Sequence, residues 1–142
     1  MSQVIIYTND NGGVSVCVPT GELPIEDVLA KDCPKGASII DDSKLPQGDD
    51  ALFFDAWVLV DDKVSVDLDK AKALQTANLN NLAKAEAQHR FSNDSIGIDN
   101  KLSDADWKAL VIAGRAAITA SADTTALVAA IVPVQDAIEA NK

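Results

Sequence analysis

The chain has 142 residues, 47% of them hydrophobic, and a formal net charge of −10, which is enough for one modest core or for a small domain with a helical appendage. Acidity on this scale argues against a nucleic-acid partner, because binding to a phosphate backbone needs clustered Lys and Arg. The charge is also uneven: residues 1 to 69 carry 14 acids and 4 bases, whereas residues 70 to 142 carry 8 of each, so two differently built halves are expected.

The first elements are β. Gln3 to Thr8 and Val14 to Val18 are β-branched runs separated by Asn9-Asp10-Asn11-Gly12-Gly13, whose Asn and Gly residues accept positive φ, and this predicts a hairpin. Val4, Ile6, Val14, Val16 and Val18 form one aliphatic face and Ile5, Tyr7, Ser15 and Cys17 a mixed one, so one side must be covered. Pro24 suits the first turn of a helix to about Lys31, with Glu26 and Asp27 at its positive end. Ala37 to Ile40 is a short strand, Asp41 to Asp50 a loop, and Phe53, Phe54 and Trp57 place three of six aromatics at the expected core. Trp57 to Val60 and Val64 to Leu68 flank Asp61-Asp62-Lys63 as a second hairpin.

From Asp69 the pattern becomes helical. Ala71, Leu74, Leu79, Leu82 and Ala85 fall on one face, and a linking helix is predicted to end near Arg90. Phe91 to Lys101 is then a connector holding an apolar clip of Phe91, Ile96 and Ile98. Ser103 is an N-cap with Asp104 and Asp106 in the first turn, followed by a face of Trp107, Leu110, Val111, Gly114 and Ile118. Asp123 caps a last helix carrying Leu127, Val128, Ile131, Val132, Val134 and Ile138, which Pro133 must kink or divide. The fold class expected is therefore α+β. Residues 1 to 68 form a small acidic antiparallel β domain with one helix, 69 to 101 a linking helix and connector, and 102 to 142 an Ala-rich helical pair.

Chemical motifs are sparse. His89 is the only histidine, and neither a Gly-x-Ser-x-Gly elbow nor a comparable Cys context accompanies it, so a solvated His at a helix end is expected rather than a general base. Asp41/Asp42, Asp49/Asp50, Asp61/Asp62 and the segment Asn93 to Asn100 lack the spacing of a calcium loop, and turn chemistry accounts for them. Gly12-Gly13 and Gly97 lack phosphate-loop context. Nothing selects two acids for a hydrolytic carboxylate pair, the rival reading as an enzyme. Neither a catalytic residue, a cofactor nor a metal is assigned. Cys17 and Cys33 have no second pair, and without a secretory signal two free thiols are favoured over a disulfide. The longest apolar stretch, Ala126 to Val134, is far below the roughly 20 residues that span a bilayer, so a membrane is not expected either.

Gln3-Val4-Ile5-Ile6-Tyr7-Thr8-Asn9-Asp10-Asn11-Gly12-Gly13, with Pro19-Thr20-Gly21-Glu22-Leu23-Pro24 and Phe53-Phe54-Asp55-Ala56-Trp57, resembles the N-terminal module of small proteins encoded beside tail genes in tailed bacteriophages. The resemblance covers about residues 1 to 85. Leu102-Ser103-Asp104-Ala105-Asp106-Trp107, with Arg115 further on, is similar to the C-terminal segment of phage tail-fibre assembly proteins, from which Ala126 to Pro133 departs. The resemblance implies a non-catalytic interaction protein of the tail or tail fibre, made in the host cytoplasm and partnered by other phage structural proteins or a second copy of itself. It stays in the virion as an accessory subunit or acts as a transient assembly chaperone that leaves. An acidic host-directed inhibitor, binding through Asp41 to Asp62, is the alternative. Trp107, Leu110, Val111, Leu127, Val128 and Ile131 are the expected partner-binding residues, because the C-terminal segment has more apolar surface than so short a piece hides alone.

Overall fold

A computed structural model describes residues 2 to 142. The fold is α+β, with small antiparallel sheets followed by helices, and the chain divides into two units, Met1–Lys70 and Ala71–Lys142.

In the first unit, β1 (Gln3–Thr8), β2 (Val14–Cys17) and β3 (Ser38–Asp41) form an antiparallel sheet in the order β2-β1-β3. The register pairs Ile6 with Val16 and Ser38, and Val4 with Ile40. Side chains alternate across the pleat, so Val4, Ile6, Val14, Val16 and Ile40 share one face. A second hairpin, β4 (Trp57–Val60) and β5 (Lys63–Val66), pairs Trp57 with Val66 and Leu59 with Val64, and these four side chains meet that face to form the core. The opposite face carries Ile5, fully buried between Cys17 and Ile39 and covered by α1 (Ile25–Asp32). Both faces of the central strand are thus covered, and the aliphatic run Val4-Ile5-Ile6 is buried throughout.

Turn chemistry fixes the hairpins. Asn9 Oδ1 accepts from the backbone N–H groups of Asn11 and Gly13, each at 3.1 Å. Asp61 and Asp62 both adopt positive φ, 51° and 64°, the signature of a two-residue type I′ turn, while Lys63 belongs to β5. The second strand stops one residue early, because Pro19 supplies no N–H to continue the ladder, and Val18 is exposed. Phe53 and Trp57 are buried as expected, but Phe54 is half exposed, its ring tilted against Trp57 at 4.8 Å.

The second unit contains most of α2 (Leu68–Ser95), with α3 (Asp104–Ala120), α4 (Thr124–Ala130) and α5 (Val132–Ala140). Ser103 Oγ accepts from the Asp106 N–H at 3.1 Å and Asp123 Oδ1 from the Ala126 N–H at 2.8 Å, so both expected caps are present. Pro133 divides the last helix, and three helices follow Ser103 rather than a pair. The predicted linker is also different in kind. The helix from Leu68 runs on past Arg90 to Ser95 and supplies one wall of the second unit through Ala71, Gln75, Leu79, Glu86, Arg90 and Asn93, all buried. Of the face expected from apolar spacing, Ala71 and Leu79 are buried, whereas Ala85 is exposed.

Gly114 lies close against that wall. A Cβ placed there would meet Leu79 Cδ2 at 3.1 Å, so a side chain at this position overpacks a fully buried leucine.

Candidate functional site

The six residues expected to bind a partner lie mostly inside the second unit. Trp107, Val111, Leu127 and Ile131 are buried, and Leu110 and Val128 are partly covered. The wall of α2 covers much of the apolar surface that the C-terminal segment cannot hide alone, leaving Ile112, 52% exposed, and Val132, 40% exposed, on that segment. The most exposed large apolar side chains of this unit lie before it: Phe91 is 72% exposed and Ile96 71%, with Ile98 at 51%. Phe91, Ile96 and Ile98 were expected to form an apolar clip within the connector; all three side chains face water.

The end of α2 holds them there. Gly97 adopts φ 77°, the Ile98 N–H donates to the Asn93 carbonyl at 2.8 Å and the Gly97 N–H to the Asp94 carbonyl at 3.3 Å. This is a Schellman motif with Gly97 at the left-handed position, satisfying carbonyls that the helix end leaves without partners. Replacing Gly97 by a residue with a Cβ strains that φ. Phe91 also borders a groove of about 290 Å³ lined by Ala87, Arg90, Asp94, Asp104 and Trp107.

Beneath this end lies a polar network that apolar periodicity does not reveal. Arg90, almost fully buried, donates through Nε and Nη2 to Asp104 Oδ1 at 3.1 and 2.7 Å, and through Nη2 to the Leu102 carbonyl at 2.6 Å. Its guanidinium carbon sits 6.0 Å from the centre of the Trp107 ring, within cation–π range. Asp104 occupies the first turn of α3, where the helix dipole also favours a carboxylate. Asn141 Nδ2 donates to Glu86 Oε1 at 2.8 Å and to Asn100 Oδ1 at 3.1 Å, while its own Oδ1 accepts from the Lys101 N–H at 2.8 Å. Asn100 Oδ1 also accepts from Asn93 at 2.9 Å.

His89 is not at a helix end; its Nε2 lies 3.0 Å from the Asn141 carbonyl. Glu86 is the one buried carboxylate among the described residues, and its bonded neighbour is the Asn141 amide. The network ties the 96–103 segment and the chain's last helix to α2, so the backbone presenting Ile96 and Ile98 is fastened from below.

Two acids of these pairs are engaged within the first unit. Asp41 Oδ1 accepts from the Ser43 N–H at 2.9 Å, and Asp62 Oδ1 accepts from Ser38 Oγ at 2.6 Å. Among the described residues, no group of three or more His, Cys, Asp or Glu side chains is placed to hold a metal ion, and no helix is long and apolar enough to cross a membrane. Comparison with family models, with curated proteins and with solved structures found no match to this chain.

Proposed function

We propose that this chain is a non-catalytic interaction protein of a tailed bacteriophage, an accessory component of the tail or tail fibre that docks on another phage structural subunit. The observation that carries the docking surface is the trio Phe91, Ile96 and Ile98, three large apolar side chains, each exposed, that lie close in sequence at a capped helix end. Large exposed apolar groups on a rigid support fit interface anchors, whose ordering cost on binding is already met by the fold. The phage setting rests on the resemblance of residues 1 to 85 to tail-gene-associated modules. The contact residues move from Trp107, Val111, Leu127 and Ile131, which fill a core, to this trio.

The test has two parts. Mass spectrometry of purified virions separates a resident accessory subunit, found in particles, from a transient chaperone, found only with unassembled tail or fibre protein in lysates. Capture of tail or fibre subunits by the wild-type chain should be lost in Phe91→Ser/Ile96→Ser, with thermal stability unchanged. The docking reading fails if the double variant captures the same subunits equally well. The phage reading fails if neither particles nor tail proteins are recovered and a basic host protein binds instead, with strong salt dependence through Asp41 to Asp62.

A further inference from the structure

The two cysteines, sixteen positions apart in sequence, are brought together by the first unit. Cys17 is the last residue of β2 and pairs with Ile5, which places it on the sheet face that α1 covers. Cys33 is the C-cap of α1, with φ −115° and ψ 150°. Pro34 sets that extended backbone, because a residue before proline is pushed out of the helical region, and so the helix must stop with Cys33 turned out of its spiral. Cys17, Val28 and Asp32, the residue that precedes Cys33, line one cleft between β2 and α1, and both thiols are free and half buried.

We propose that Cys17 and Cys33 form a reversible intramolecular disulfide that fastens the C-terminal end of α1 to the edge strand β2, with a small-molecule disulfide such as oxidised glutathione as the oxidant. The Cys17 thiolate attacks one sulfur of that disulfide, and one glutathione thiolate leaves, taking up a proton from water. Cys33, deprotonated in turn, then attacks the Cys17 sulfur of the mixed disulfide and a second glutathione leaves. The two protein thiols are oxidised by two electrons, and one glutathione disulfide is reduced to two thiols. Partial burial and then the neighbouring Cys17 charge hold the Cys33 thiol above its ordinary range, which suits Cys33 to the second, resolving step. A chain synthesised in a reducing compartment and later exposed to an oxidising one would gain this crosslink without any change of partner.

The experiment exposes the full chain to excess oxidised glutathione and reads intact mass and non-reducing peptide maps. The expected product has lost the mass of two hydrogens, has no titratable thiol and contains a Cys17–Cys33 linked peptide. Closing a loop of this length restricts the unfolded chain. The Tm of the first unit, followed at Trp57 in a Trp107→Phe background, should therefore rise by roughly 10 °C and fall back on reduction. Glutathione retained on both cysteines of the wild-type chain, or disulfide-linked pairs of chains, would overturn the proposal. A crosslink that leaves the Tm unmoved would overturn its role in fastening α1.

Discussion

The two units of this chain are stabilised in opposite ways. The acidic half, with 14 of the 22 acids, has a purely apolar core of Val4, Ile6, Val14, Trp57 and Val64 and keeps its charges at turns and on the surface. The half with balanced charge buries Gln75, Glu86, Arg90, Asn93, Ser121, Thr124 and Asn141, and every buried polar side chain among the described residues lies there. Net charge therefore says little about where polar groups are buried. A sheet fixes register through alternation across the pleat, since a slip of one residue turns every core side chain outward. Ala-rich helices lack such a device. Polar groups with specific partners supply it, as when Gln75 donates to the Leu127 carbonyl at 2.8 Å where the division of α4 from α5 interrupts the helical ladder.

The sharpest way to break this comparison is to empty the apolar core. Ile6 is fully buried at the centre of the first unit, and Ile6→Ala should cost about 2 to 5 kcal/mol through lost transfer energy and a residual cavity. Denaturant unfolding followed at Trp57, in a Trp107→Phe background, measures it. A loss below about 1 kcal/mol would mean that the two sheet layers collapse easily onto the gap, unlike a close-packed core.

A smaller effect tests the polar half. Asn141→Ala removes the donor that Glu86 and Asn100 share and the acceptor for the Lys101 N–H, leaving a buried carboxylate without that partner, at about 1 to 3 kcal/mol. If the network acts as a unit, Glu86→Ala combined with Asn141→Ala costs less than the sum of the two single changes. Unfolding followed at Trp107 in a Trp57→Phe background reads this cycle. Strict additivity would show that the bonds act singly and do not set register together.

The same contrast explains what the sequence discloses. Hairpins, caps and breaks are local, so Asn9 to Gly13, Asp61-Asp62, Ser103, Asp123 and Pro133 can each be read from a few neighbours. The wall of α2 cannot, because apolar spacing passes over Gln75, Glu86, Arg90 and Asn93, although they recur at helical intervals. Arg90 reads as a solvated cation until Asp104, fourteen residues away, is brought beside it. Gly97 did carry a usable signal, since glycine just past a helix marks its C-terminus, and it places the end of α2 near Ser95 rather than Arg90. Trp107, Val111, Leu127 and Ile131 were visibly apolar, but their cover is supplied by a helix that apolar periodicity describes as a linker.

The smallest expected effect concerns the acids of the first unit and their pH dependence. Asp41 caps the 3-10 helix after β3 by accepting from the Ser43 N–H, and the backbone and then side-chain bonds of Ser43 hold its carboxyl below the ordinary carboxylate range. A folded-state pKa lower than the unfolded one means that the contribution is fully present above the unfolded value, about 3.9. It is lost as pH falls through the folded value. Asp41 is partly exposed, so solvent screens the effect, and its loss should be far slighter than that of Asn141. Asp41→Asn keeps a side-chain oxygen for the cap but removes the charge, so it should flatten the acid limb of the first unit's stability while leaving stability at neutral pH nearly unchanged. An NMR titration of the Asp41 carboxyl gives the direction directly, and a midpoint at or above the ordinary value would show that the Ser43 bonds do not favour the charged form.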